Sequence, residues 1–402
     1  MPVLAHNSPF SPLRNPQYRS YWCAGLIANF GWLIQSVGAA WLMMSISGSA
    51  QMVAMVQSAV SLPMMMCLIL AGTLADRLGR RAVILIAQTG ALCISIVLAI
   101  WAWMDWLTPW SLLALTFGLG VTRAFNHPAW QTYVSDFMPR AQLSPAINLN
   151  SLSFNIARAV GPALGGVIVA SFGAVVGFVI NAVVNVAMVA TMIMRKDGRA
   201  VDTQSVSFCR SIIDGARYVL SMPVLMQLTL FGAIFNFAGT ALMALMPIIA
   251  REILNGGAEV YGLLLGAFGF GAIIIALFSN YLREKASLVT LTRSGFAVSA
   301  MSNIMVVASP STMSAMIACA TAGAAWVLTL SGFHTKLQLT SSREFMSRSN
   351  AIFQTFSFAG VTAGALVWGG IAERTDIVTT MIGSSIAMGT GILLSVAIKS
   401  RI

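Results

Sequence analysis

Runs of about twenty apolar residues, each long enough to cross a bilayer as a helix, alternate with short polar connectors along this chain. They fall at 20–46, 52–75, 81–104, 108–135, 147–171 and 174–194, then at 223–250, 259–281, 287–308, 311–338, 347–371 and 377–398. The pattern predicts an all-α integral membrane protein of twelve spans. The two tightest junctions carry Phe172-Gly173 and Ser309-Pro310, both turn formers. The longest polar stretch, 195–222, follows the sixth run. It divides the chain into an N-terminal six-helix half (1–194), a linker (195–222) and a C-terminal six-helix half (223–402). Within the linker, Phe208 to Leu220 has the spacing of an amphipathic helix on a membrane surface. The halves share a faint repeat: Ser153-Phe154 and Gly165-Gly166 recur as Ser357-Phe358 and Gly369-Gly370, 204 residues on. Duplicated halves are common in secondary transporters.

Composition agrees with the pattern. Of 402 residues, 57% are hydrophobic and only 9% charged, against about a quarter charged in a soluble domain. A lipid-facing surface needs no charges. The net charge of +11 would suggest nucleic acid in a soluble protein. Here the basic residues sit in short connectors beside spans, so nucleic acid is excluded as a partner. With the N-terminus in the cytoplasm, only Arg251 and Arg374 fall in outer connectors, and Arg123, Arg158 and Arg293 fall within spans. The rest of the 23 basic residues are cytoplasmic. This asymmetry supports twelve spans in the bacterial inner membrane with both termini inside. The first 20 residues lack the apolar core of a cleavable signal peptide, so the first span is expected to insert and stay. Four of the five cysteines lie in apolar runs and none forms a CxxC pair, which argues against a metal or disulfide framework. Motifs for nucleotide hydrolysis, zinc peptidases and serine hydrolases are missing. Neither enzyme chemistry nor a cofactor is expected, and energy must come from a gradient.

The second connector reads Gly72-Thr73-Leu74-Ala75-Asp76-Arg77-Leu78-Gly79-Arg80-Arg81. Gly79 permits a sharp turn, and Asp76 can accept hydrogen bonds from Arg77 or Arg80. The segment resembles the signature loop of the major facilitator superfamily and occupies that loop's place between helices two and three. The resemblance implies a cytoplasmic gate built from Gly72, Asp76, Arg77, Gly79, Arg80 and Arg81. Asp76 would face the start of helix eleven near Ser347, and Asp136 would pair with the loop arginine. Span five carries Gly161-Pro162-Ala163-Leu164-Gly165-Gly166, which resembles the antiporter motif of exporters in the superfamily. Small residues that merely let helices pack closely are the other reading. Phe30 to Gln35, Trp41, Ser47-Gly48-Ser49, Leu149-Asn150-Ser151 and Tyr261 to Leu264 are similar to the transmembrane secretion effector family. That group includes enterobactin exporters and macrolide efflux proteins.

Charged and polar groups at membrane depth are costly and mark functional paths. The candidates are Arg123 and His127 on one face of span four, and Asn155 and Arg158 on span five. Gln35, Asn236, His334 and Gln354 complete the set. Arg123 and Arg158 either greet an anionic or carbonyl-rich cargo or cap backbone carbonyls and snorkel. The twelve acidic residues all lie in connectors or at span ends. Relatives often carry an acid in span one, where this chain has Gly31-Trp32-Leu33. A proton would therefore have to be carried by His127, His334, Asp136 or Glu259. The expected activity is export of a small amphipathic drug, siderophore or metabolite by proton antiport with alternating access, from a monomer in the lipid bilayer. The competing readings are an importer on the same fold and a non-transporting membrane sensor or assembly factor.

Overall fold

The structure, a computed structural model, describes residues 10–194, 208–342 and 345–397. Among the side chains named above, those of Gly72, Asp76 and Ser347 lie outside the described set, as do linker residues 195–207. The first half contains α1 (Pro16–Ser47), α2 (Ala50–Leu78), α3 (Arg80–Trp103), α4 (Pro109–Tyr133), α5 (Arg140–Phe172) and α6 (Ala174–Met194). The second contains α8 (Pro223–Ile248), α9 (Ala258–Lys285), α10 (Leu288–Val307), α11 (Thr312–Thr340), α12 (Met346–Arg374) and α13 (Ile377–Ala397). Between them lies α7 (Phe208–Ser221), where the sequence predicts an amphipathic helix. Among the described residues there are thus twelve long helices, and ten of them are long and apolar enough to cross a membrane. The two exceptions are α4 and α10. In α4 the apolar run is diluted by Arg123, Asn126, His127 and Gln131.

Helix ends follow the polar connectors. Asn15 accepts from the amides of Gln17 and Tyr18 at 2.9 and 3.4 Å, and Ser49 caps α2 through Met52 N at 3.2 Å. Reciprocal capping boxes open α4 (Thr108, Ser111) and α11 (Ser311, Ser314). Each satisfies amides that a helix start leaves without partners. Gly79 turns the chain between α2 and α3 at φ 85°, a conformation a side chain resists. The largest departure from the predicted boundaries is at α5, which begins at Arg140 instead of 147. Its first turns are polar, so the helix extends beyond the apolar run.

The surface is apolar where a soluble protein's would be polar. Val179, Val183, Val186 and Ile193 make an exposed stripe on α6 at helical spacing, as lipid contact requires. Several buried polar groups find each other. Ser95 and Asn181 both donate to Gln35 Oε1 in the first half. In the second, Asn303 donates to Ser384 Oγ at 2.9 Å, and Ser384 donates to Ala238 O at 2.8 Å.

The halves meet along two helix pairs, α2 with α12 and α5 with α9. The end carrying the starts of α1 and α8 is called here the terminal end, and the opposite one the far end. At the far end one apolar cluster runs unbroken through both halves, from Val37 and Met43 to Leu245, Tyr261 and Trp368. Toward the terminal end the apolar interior splits. One cluster, around Tyr21 and Tyr133, belongs to the first half, and another, around Phe231 and Phe353, belongs to the second. Helix α7 docks on the second half: Tyr218 stacks on Phe345 with centroids 4.4 Å apart and accepts from Ser342 N at 3.0 Å.

Candidate functional site

Because the interior splits toward the terminal end, a cavity of about 690 Å³ is left between the halves. Helices α1, α2, α4 and α5 line it on one side, and α8, α9, α11 and α12 on the other. Arg123, His127, Arg158, Gln35, Asn236, His334 and Gln354 all reach its wall, as the sequence predicts, together with Gln57 and Gln131. Its apolar wall is aromatic: Trp32, Phe154, Phe268, Trp326, Phe353 and Phe358. The repeated Ser-Phe pair thus places Phe154 and Phe358 on opposite walls. No aspartate or glutamate lies among the described lining residues. The size and character are those of a site for a drug-sized, largely apolar ligand with a few fixed polar groups.

Of the expected path residues, one lies off the wall and two already hold partners. Asn155 is exposed and not part of the cavity wall, because it sits three residues from Arg158 but on the neighbouring face of α5. Gln35 lines the wall but is 2% exposed, and its oxygen already binds Ser95 and Asn181. Asn236 spends its amide on Gly232 O, one turn back along α8, at 2.8 Å. Gln35 thus braces its own half, while Asn236 bonds within its own helix.

The arginines separate by how they are satisfied. Arg81 donates to Met192 O at 2.9 Å and Ile193 O at 3.1 Å at the end of α6. Arg293 does the same for Ser395, at 2.8 and 3.1 Å. Both fit the carbonyl-capping alternative. Arg123 instead lies with its guanidinium 4.4 Å from the centroid of Trp32, a cation–π contact. Neither Arg123 nor Arg158 has a carboxylate partner among the described residues. His127, one turn from Arg123, is 3.3 Å from Gln131 Nε2. His334 lies edge-on to Phe353 at 4.7 Å.

At the terminal end Arg80 pairs with Asp136 and also donates to Ser135 Oγ at 2.9 Å. The partner expected for the loop arginine is therefore in place, but the bond joins α3 to the turn after α4, within one half. Arg77 is exposed. A polar bond that does cross between the halves lies at the far end. Glu373, at the end of α12, accepts from Ser49 Oγ at 2.9 Å and from Gln51 N at 3.2 Å, the first turn of α2. A carboxylate there meets the positive end of the helix dipole. Glu373→Ala is expected to raise labelling of a cysteine at position 54 by a membrane-impermeant maleimide, added at the far face, about twofold to fivefold. Unchanged labelling would rule out a role in closure.

The glycines of span five divide between two neighbours. A Cβ on Gly161 would lie 3.1 Å from Leu33 Cβ, and one on Gly165 would lie 3.0 Å from Ile34 Cα, both on α1. A Cβ on Gly166 would lie 2.6 Å from Ala258 O and 2.7 Å from Gly262 Cα, on α9 of the other half. In the repeat the close glycine is the other member of the pair: a Cβ on Gly369, the counterpart of Gly165, would lie 2.6 Å from Ala54 Cβ, on α2, whereas one on Gly370 meets nothing within 4 Å. Each repeated glycine pair therefore holds one residue at a close crossing of the halves. Pro162, between these glycines, faces the cavity.

Sequence reading missed Asn181, Asn185 and Gln88, which line a second, smaller recess beside Arg123. The signal was present: Asn181 and Asn185 share a face at i, i+4 inside an otherwise apolar run. Glu373 was visible only as one more acid at a span end.

The sequence profile of the transmembrane secretion effector family matches residues 7–402. The multidrug efflux pump Tap of Mycolicibacterium fortuitum is 26% identical over 387 residues, 91% of each chain. Macrolide efflux protein A of Streptococcus pyogenes is 25% identical over 226 residues, 54% of this chain and 56% of that protein. A mutant of the nucleoside transporter NupG superposes with a TM-score of 0.79 at 11% identity, covering 95% of this chain and 99% of that one.

Proposed function

Since this chain belongs to the transmembrane secretion effector family and has the major facilitator fold, we propose that it exports a small amphipathic organic molecule by proton antiport, through alternating access. The observation that carries the reading is the central cavity. It is walled by four helices of each half, closed at the far end by a continuous apolar cluster and reached from the terminal end. Rocking of the halves about the α2–α12 and α5–α9 seams would exchange which face is open. Tap and macrolide efflux protein A, both named for efflux, favour the outward direction. The terminal end is taken as cytoplasmic, in the bacterial inner membrane, because the basic connectors gather there. The cavity is complete within one chain, so a monomer suffices.

The proton carrier is one of the cavity histidines, His127 or His334. The other two candidates are engaged elsewhere: Asp136 with Arg80, and Glu259 with Gly257 N at 3.0 Å at the far end. Neither lines the cavity. An imidazole ring can take up and release a proton, and both rings reach the wall.

The test is a screen of amphipathic compounds for uptake into everted membrane vesicles under an imposed pH gradient. Uptake that depends on this chain and stops when the gradient is collapsed is the expected result. Uptake that persists after every ion gradient is dissipated would remove antiport.

A further inference from the structure

Beside the central cavity, and wholly within the first half, lies a recess of about 70 Å³. It is enclosed by α1, α3, α4 and α6 and lined by polar groups at membrane depth: Asn29, Gln88, Asn126, Asn181 and Asn185. Arg123, with Trp32 and Leu119, lines both spaces and forms the wall between them. Two of the recess amides lack a partner. Asn185 is 5% exposed and its Nδ2 donates to nothing, and the buried Oδ1 of Asn126 accepts from nothing. A buried donor without an acceptor is costly, and so is a guanidinium without a counter-charge.

The other arginines show what this chain does when such a group is structural. Arg80 has Asp136, Arg81 has two carbonyls, Arg283 has the Thr335 hydroxyl at 2.6 Å, and Arg293 has Ser395. Arg123 has an indole face. An indole face attracts a cation but supplies no negative charge. Arg158 adds a second guanidinium to the cavity wall, and no acidic side chain lines either space among the described residues. A cationic ligand would meet two like charges and no acceptor strong enough to offset them.

We propose that Arg123 and the Asn185 amide form a head-group site, and that the cargo is an amphipathic carboxylate. The proposal rests on the transport reading above and narrows it to one chemical class. The carboxylate docks on Arg123 at the mouth of the recess and accepts from Asn185, which an anion can do and an ammonium cannot. The recess admits a carboxylate and a few waters but no ring. The apolar body stays in the larger cavity against Trp32, Phe268 and Trp326. Arg158, on α5 of the same side, contributes long-range attraction.

The experiment measures binding of three probes of one shape to the purified full-length protein: 2-naphthoate, 2-naphthamide and 2-naphthylmethylammonium. The expected result is binding of naphthoate about tenfold tighter than the amide, with the ammonium weakest. Equal affinities, tightest binding of the ammonium, or no binding of naphthoate would overturn the proposal. This charge series uses the unaltered protein, so it decides even where a variant fails to fold. Arg123→Gln is expected to erase the difference between naphthoate and the amide, and Asn185→Leu to weaken naphthoate severalfold while leaving the amide unchanged. Arg293→Gln, away from both spaces, should leave the series as it was. Acetate and inorganic phosphate serve as competitors lacking the apolar body. Weak competition by both is expected, whereas displacement of naphthoate by phosphate at equal concentration would assign the site to a free anion instead. Gradient-driven uptake in vesicles is measured separately. A reversed charge preference with intact uptake would sink the carboxylate assignment and leave the transporter reading standing.

Discussion

Gly166→Leu is expected to abolish export while leaving the protein folded in the membrane. At this point the two halves cross backbone to backbone: Gly166 and Gly262 each place a hypothetical Cβ within 2.7 Å of the other's Cα. A side chain there acts as a wedge at the far end. Overpacking of this kind costs about 3 kcal/mol, more than a hundredfold in the population of the far-closed state. The penalty falls on one orientation of the halves, since the separated halves have room for the side chain. The variant should therefore elute as a monodisperse species, show far-face accessibility to a maleimide probe, and fail to load cargo from the terminal face. Gly262→Leu should behave alike, and the double variant should cost little more than either single one, because both remove the same crossing. Export at the normal rate by Gly166→Leu would show that this seam does not need to close.

Gly271→Val is expected to have an equally large effect by a different route, loss of folded protein. Here α9 crosses α11 inside the second half. A Cβ on Gly271 would lie 1.9 Å from Ala320 O, and one on Gly323 would lie 1.9 Å from Phe268 O. These paired contacts are tighter than the seam at Gly166, and the atom met in each is a backbone carbonyl oxygen, which cannot swing aside. No orientation of the halves relieves them. The helices must separate by about the width of a methyl group, opening voids on either side at a cost of about 3 kcal/mol or more. Membrane levels and the melting midpoint in detergent should both fall, and Gly323→Val should match it. Wild-type yield and melting behaviour would mean that the crossing is more yielding than its backbone spacing indicates.

These two glycine crossings also show which parts of the molecule the sequence revealed. The spans were legible because lipid enforces a length and a polarity on every segment that crosses it. The polar first turns of α5, the diluted α4 and α10 strayed from that rule. The Gly165-Gly166 pair and its repeat were legible as small residues, but not as cross-half seams, because composition does not say which neighbour a helix face meets. Gly323, a tight glycine of the second half, carries no motif and was not read at all. In the candidate site, Arg123, His127, Arg158, His334 and Gln354 stood out because charge and polarity at membrane depth are rare. Gln35 and Asn236 stood out for the same reason, yet Gln35 braces its own half and Asn236 bonds within its own helix. Asn155 was misplaced by a single helical step. Asn185 needed three dimensions: its significance lies in facing Arg123 from α6, 62 residues further along the chain.

A cavity holding two guanidiniums, and no carboxylate among its described lining residues, is not electrically silent. Moving one elementary charge through a full 100 mV potential is worth about 2.3 kcal/mol. The empty carrier exposes Arg123 and Arg158 first to one side of the bilayer and then to the other, so its reorientation displaces positive charge through part of that field. With the terminal end in the cytoplasm, as proposed above, the resting voltage holds the vacant protein facing inward. An anionic occupant neutralises part of the displaced charge and weakens that hold. Voltage would then act as a clutch, engaging the outward stroke when the carrier is loaded and resisting it when there is nothing to expel.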